Sequence, residues 1–221
     1  MKTFGFDTDQ AFTYENGFYL TSDPKRLQKL IAHFELYKRI SHLPGTVIEL
    51  GVFKGASLIR FASFRDMLET PESRKVIGFD AFGRFPRPES GSAADADFID
   101  LFEEVAGDGI SQESLNDFLA HKGLSNIELV AGDIMQTLPA YLTAHPQLKV
   151  SLLHIDVDVY GPSKLALDLL ASRMVKGGII VLDDYGTVEG ETRAVDEFIQ
   201  GTDLHVEKLP FSHIPAFITV K

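Results

Sequence analysis

The sequence contains no cysteine, which removes disulfides, thiolate zinc sites and thiol nucleophiles together and fits a cytoplasmic location. It also lacks any apolar run near the ~18 residues of a membrane-spanning helix. The opening MKTFGFDTDQ does not have the charged-then-apolar layout of a secretory leader. Positive charge is scarce: 21 Lys and Arg stand against 32 Asp and Glu, a net charge of −11 with histidine neutral. Such a chain offers no basic face to a nucleic-acid backbone or to an anionic membrane. The partner expected is a small molecule. No repeat, low-complexity block or composition break divides the chain.

What is present suits one medium-sized core: 221 residues, 44% hydrophobic. Residues 1–44 are expected to form an N-terminal strap and a helix within the same domain as residues 45–221. Residues 1–21 mix Phe4, Phe6, Phe12, Tyr14, Phe18 and Tyr19 with polar side chains; they either lie across a pocket or pack on the core. Ser22-Asp23-Pro24 starts a helix, and Leu27, Leu30, Ile31, Phe34 and Tyr37 give its apolar face. Beyond Pro44-Gly45 the pattern alternates. Strand-like apolar runs at 46–50, 75–80, 126–131, 149–156 and 178–183 are separated by helical patterns at 56–69, 111–122, 134–144, 162–175 and 191–200. Continuous apolar strands alternating with helices predict an α/β fold, a mostly parallel sheet with helices on both faces. Residues 204–209 and 215–220 predict an antiparallel C-terminal hairpin, giving a seven-stranded Rossmann-like sheet. The loop at 81–97 follows a strand end, where lids are common. Asp95, Asp97, Asp100, Glu103 and Glu104 read as a solvated helix face.

In such sheets ligands bind beyond the carboxyl ends of the strands. The first run ends in Glu49-Leu50-Gly51-Val52-Phe53-Lys54-Gly55-Ala56-Ser57. Its glycines let the backbone turn tightly against a ligand, and the helix that follows offers free N–H groups. Glu49, an acid in a buried strand, needs a partner. Asp80 ends the second run, placed to accept from ribose hydroxyls. Asp133 follows the third, either beside an adenine or as a helix cap. Asp156 and Asp158 lie in LLHIDVDVY, and Asp183 and Asp184 in IIVLDDYG. Neighbouring strand ends are ~5 Å apart, so these carboxylates converge and repel unless a cation joins them. Oxygen ligands favour a hard ion such as Mg²⁺. His154 reads as a satisfied core histidine, and Tyr160 and Tyr185 as pocket wall.

VIELGVFKGASL, GFDAFGRFP, LLHIDVDVYGPSK and GGIIVLDDYG together resemble the TylF-type macrocin O-methyltransferases, in register over about residues 45–200. YENGFYLTS at 14–22 is similar to the branch that methylates nucleotide-linked deoxyhexoses. The resemblance implies a class I methyltransferase that uses S-adenosylmethionine and a divalent cation, with a hydroxyl of a sugar or nucleotide sugar as acceptor. It implies that Glu49, Gly51, Gly55 and Ser57 cradle the methionine end of the cofactor, that Asp80 and Phe82 meet the ribose, and that Asp133 lies by the adenine. It implies Asp156, Asp183 and Asp184 as metal ligands, Asp156 or Asp158 as the base, and a homo-oligomer. A non-sugar diol or catechol-like acceptor and a metal-dependent D-x-D glycosyltransferase are the alternative readings. An aspartyl-phosphate phosphatase fits less well, because its motif belongs on the first strand. A non-catalytic cofactor-binding protein would have no need of the intact acidic set.

Overall fold

The computed structural model describes residues 1–87 and 93–221. A two-stranded hairpin opens the chain, β1 (Lys2–Thr3) and β2 (Phe6–Asp7), followed by α1 (Ala11–Thr21) and α2 (Pro24–Ile40). Five strand–helix units come next. They are β3 (Thr46–Leu50) with α3 (Ala56–Leu68), β4 (Val76–Asp80) with α4 (Ala93–Ala106) and α5 (Gln112–His121), β5 (Ile127–Ala131) with α6 (Ile134–Ala144), β6 (Val150–Ile155) with α7 (Tyr160–Leu170), and β7 (Met174–Leu182) with α8 (Glu189–Ile199). Short strands β8 (Glu207–Lys208) and β9 (Ala216–Thr219) end it.

The main sheet has seven strands in the order β5-β4-β3-β6-β7-β9-β8. Pairs from β5 to β7 are parallel and β9 runs antiparallel. Strand order reverses between β3 and β6, the switch point at which open α/β sheets form their crevice. Alternate residues of each strand feed two cores. Ile48, Leu153 and Ile180 pack with Leu138, Leu167 and Val195 on one face. Val47, Leu152 and Val181 pack with Leu36, Phe61 and Leu115 on the other. The Asp23 side chain accepts from Lys25 N at 2.9 Å and starts α2, and Asp133 does the same for α6 through Met135 N at 2.9 Å. No helix among the described residues is long and apolar enough to cross a membrane.

Several expectations are corrected. Residues 1–21 form a hairpin and a helix, and α1 buries no residue; the hairpin leans on α5 through Phe6 and Phe118. The buried face of α2 is Ala32, His33, Leu36, Tyr37 and Ile40, while Ile31 is exposed. The helix is turned from its apolar stripe because Lys29 and His33 face acidic partners. Strand β7 begins at Met174, inside the helical pattern expected over 162–175, and α7 ends at Leu170. Asp95 is buried at the start of α4 and Glu103 is half-buried, so only Asp97, Asp100 and Glu104 form a solvated face. Residues 88–92 of the proposed lid loop lie outside the described residues.

Candidate functional site

At the carboxyl edge of the sheet each strand end is pegged to its neighbour. Gly51 N donates to Phe79 O (3.0 Å), Asp156 N to Leu50 O (2.9 Å) and Asp183 N to Ile155 O (3.0 Å). A Cβ on Gly51 (φ +87°) would sit 1.7 Å from the Asp156 carbonyl oxygen, so only glycine lets the first turn pass the end of β6. Beyond this edge lies a cavity of about 560 Å³, within the ~300–1,000 Å³ usual for small-molecule sites. Gly51, Ser57, Asp80, Asp133, Asp156, Asp158, Asp183 and Asp184 line it; Glu49, Gly55 and Phe82 do not. The near part of the lid loop, Gly83 to Pro86, forms a wall with Phe102. No residue before Arg26 lines it, so the N-terminal segment does not cover this pocket.

Asp80 clamps the glycine turn. Its Oδ2 accepts from Val52 N (2.7 Å) and Phe53 N (2.9 Å), and its Oδ1 from Phe82 N (2.7 Å). Oδ2 is thereby filled, and Oδ1 keeps a second lone pair to offer a ligand. Phe53, Phe82 and Asp158 all hold positive φ (50°, 52° and 61°), a conformation costing about 1–3 kcal/mol per non-glycine residue. Such strain gathers where the backbone must aim side chains at a site.

The acidic residues divide into two groups. Asp183 is buried beside cations. Its Oδ2 meets Lys29 Nζ, and its Oδ1 lies 3.3 Å from His154 Nε2 and 3.8 Å from His33 Nε2. Burial opposes its charge, but the hydrogen bond from His154, the nearby His33 ring and the Lys29 charge outweigh that and hold its carboxyl well below the usual range. His154 Nδ1 lies 2.9 Å from Glu49 Oε1. Burial lowers the His154 pKa, yet bonds to Asp183 and Glu49 raise it to about 10, so the ring is an imidazolium. His33, buried and stacked on Phe61, is pushed down to about 4 by burial and stays neutral. Lys29, Asp183, His154 and Glu49 thus form a row of alternating basic and acidic residues from α2 to β3.

Asp156, Asp158 and Asp184 form the second group, with carboxylate oxygens within 4.8 Å of one another. Burial comes first and repulsion second in pushing all three above the ordinary range, Asp156 by Asp183, Asp158 by Asp184 and Asp184 by Asp183. No ion pair reaches them among the described residues, and Asp184 Oδ2 is buried without a hydrogen-bond partner. Glu191, wholly buried at the start of α8, accepts from Asp184 N at 3.0 Å and adds a fourth carboxyl. The donor set is all oxygen, the chemistry of a hard divalent cation.

Sequence reasoning missed Lys29, His33 and Glu191, while His154 is the satisfied core histidine expected, buried with both ring nitrogens partnered. A lysine and a histidine four apart on the inward side of α2 were the only signal. Asp133, left open above, does cap α6 and also lines the cavity. Tyr160 and Tyr185 do not line it; their hydroxyls donate to Glu197 (2.7 Å) and Asp196 (2.8 Å) on α8.

A model of the macrocin-O-methyltransferase (TylF) family matches residues 18–215. A protein of Streptomyces olivaceus, 8-demethyl-8-(2,3-dimethoxy-alpha-L-rhamnosyl)-tetracenomycin-C 4'-O-methyltransferase, is 27% identical over 146 residues, 65% of this chain and 54% of that protein. The chain therefore spans about half the length of this curated relative. Apo CalS11, a TDP-rhamnose 3'-O-methyltransferase of calicheamicin biosynthesis, is similar at 27% identity and a TM-score of 0.68, covering 97% of this chain and 86% of that one. The O-methyltransferase NovP shares the fold with a TM-score of 0.75 at 20% identity, covering 87% of this chain and 79% of that one.

Proposed function

The chain belongs to the macrocin-O-methyltransferase (TylF) family, and on that footing we propose that it methylates a hydroxyl of a sugar-bearing small molecule, using S-adenosylmethionine and a divalent cation such as Mg²⁺. One observation carries this reading. A single cavity joins a glycine turn clamped by Asp80 to three clustered carboxylates that no protein cation contacts among the described residues. The TDP-rhamnose acceptor of CalS11 supports the sugar.

The residues fit both groups. Ser57 and the first turn of α3 would hold the carboxylate of the cofactor, Asp80 the ribose, and Asp133 the adenine side. Glu49 and Gly55 shape this end from behind the cavity wall, Glu49 through its bond to His154. Phe82 acts through its N–H on Asp80. Asp156 and Asp184 would hold the cation with Asp158 beside them, while Asp183, given to the metal by the family resemblance, is turned to Lys29 and His154. The cofactor supplies an electrophilic methyl group, and the cation supplies positive charge that lowers the pKa of the acceptor hydroxyl. Asp158 takes the hydroxyl proton: its carboxyl is pushed up first by burial and second by the Asp184 charge, which suits a base. Phe85 and Phe102, with ring centroids 6.3 Å apart, exclude water from one wall. Holding acceptor and methyl in line can contribute about 7–11 kcal/mol.

The test is calorimetric titration with S-adenosylmethionine, with Mg²⁺ and with EDTA, followed by transfer of labelled methyl to a panel of sugar-bearing acceptors. Cofactor binding in both conditions with Mg²⁺-dependent transfer is expected. Failure to bind the cofactor in either condition overturns the reading.

A further inference from the structure

Asp158 and Asp184 stand on different loops, after β6 and after β7, and one residue joins them. Glu191, in the first turn of α8, donates from its backbone N to the Asp158 carbonyl at 3.0 Å. Its Oε1 accepts from the Asp184 N–H at 3.0 Å. The side chain is wholly buried, and its second oxygen, Oε2, has no hydrogen-bond partner among the described residues. The helix end that carries it is docked closely on the first of the two loops. A Cβ on Gly190 would lie 2.5 Å from Tyr160 N and 2.9 Å from the Val159 carbonyl carbon, so glycine is what lets α8 approach the turn after Asp158. The second loop is fixed as well, the Asp184 carbonyl accepting from Thr187 N and Val188 N at 2.9 and 3.0 Å.

These bonds act against a repulsion. Asp156, Asp158 and Asp184 offer oxygens within 4.8 Å of one another, and like charges at that range drive their loops apart until a cation joins them. Asp156 is pegged to β3 through Leu50 O. Asp158, held at a φ of 61°, and Asp184 are tied to each other through Glu191. Resting on the methyltransferase reading above, we propose that Glu191 is a positioning residue for the cation and the base: its side chain and its backbone N–H together hold the Asp184 and Asp158 loops at the spacing the ion needs. Glu191 is not one of the three carboxylates grouped around the ion position; it acts through the backbone of two of them. Partners that orient metal ligands from behind are typically worth about 10–100-fold in metal affinity. The bond to Asp184 N needs an acceptor of this length and not a charge, since a carboxylate beside three others adds to the repulsion.

The experiment is titration calorimetry of the full chain with Mg²⁺ and, separately in EDTA, with S-adenosylhomocysteine, for the parent, Glu191→Gln and Glu191→Met. Both replacements are uncharged and close to glutamate in length, but only glutamine keeps an oxygen to accept from Asp184 N. Glu191→Met is expected to lose about tenfold or more in Mg²⁺ affinity, while Glu191→Gln stays within about threefold of the parent. S-adenosylhomocysteine should bind all three forms equally, which also reports folding. Unchanged Mg²⁺ affinity in Glu191→Met overturns the proposal. So does a loss in Glu191→Gln as large as in Glu191→Met, which would make the charge of Glu191, and not its bond, the source of the effect. If Glu191→Met does not fold, the glutamine variant still decides: a tenfold loss of Mg²⁺ affinity there overturns the proposal, and retention supports it. If the parent binds S-adenosylhomocysteine but not Mg²⁺, the positioning role falls and the cofactor part of the reading stands. If S-adenosylhomocysteine itself does not bind the parent, both fall.

Discussion

Asp183 and Asp184 are adjacent in sequence, yet their surroundings have opposite electrostatic signs, and substitution should separate them. Asp183→Asn leaves the Lys29 ammonium and the His154 imidazolium short of a buried counter-charge. Breaking a buried pair in this way costs about 3–5 kcal/mol, so thermal unfolding in EDTA should fall clearly. Asp184→Asn removes one of three crowded carboxylates. In EDTA it should leave the Tm unchanged or raise it, while Mg²⁺ affinity by calorimetry collapses. Equal effects of the two variants would contradict the division of the acidic residues into two groups. Asp80→Ala acts on another edge of the cavity. Losing its buried hydrogen bonds should weaken S-adenosylhomocysteine binding by about 1–3 kcal/mol, and unchanged affinity would remove Asp80 from the cofactor site. The convergence of these acids was legible in the sequence because each ends an apolar run. Their partition was not. Successive residues point to opposite sides, and what waits on each side is fixed by a lysine 154 residues away in the chain.

At the scale of elements, the parallel strands were readable because burial on both faces makes them continuous apolar runs. The orientation of α2 was not, since its inward face carries Lys29 and His33, which only the packed β7 makes tolerable. The start of β7 was hidden by Met174 and Val175, which continue the helical period of α7 equally well. Glycine 51 gives the most direct test at this scale. Gly51→Ala places a methyl group against the Asp156 backbone and should prevent the two strand ends from closing, read as loss of cofactor binding together with a lowered Tm. A milder test lies at the outer pair of strands. Glu128 on β5 accepts from Tyr141 of α6 at 2.8 Å and meets Lys75 beside β4. Burial raises its pKa, but those partners outweigh it and the net shift is downward. A depressed carboxyl contributes stability above its unfolded pKa and loses it as pH falls through the folded value. Glu128→Gln should therefore cost something at pH 7, held to less than about 1 kcal/mol by solvent screening, and progressively less as pH falls through the folded value.

For the whole molecule, a net charge of −11 surrounds a cavity whose wall is partly basic. Composition argues against a nucleic-acid backbone as a partner, but it conceals the local reversal of sign, because an average over 221 residues carries no position. The proposed cofactor and cation would bind only the folded chain. Each should raise apparent stability by RT ln(1 + [L]/Kd), about 2.7 kcal/mol at a hundredfold excess over Kd. Thermal shift should therefore respond to S-adenosylhomocysteine and Mg²⁺ separately, and the absence of any shift with saturating S-adenosylhomocysteine would contradict a preformed site.

The clamp on the glycine turn has one more consequence, in time. The amides of Val52 and Phe53 point at the Asp80 carboxylate and at no backbone carbonyl among the described residues. Their exchange with deuterated solvent is therefore timed by how often one side chain lets go. A ligand that draws on the same carboxylate while closing the cavity over the turn will slow both amides together, leaving those in the middle of β3 as they were. Two adjacent backbone protons thereby become a clock for occupancy of the pocket, readable without any turnover.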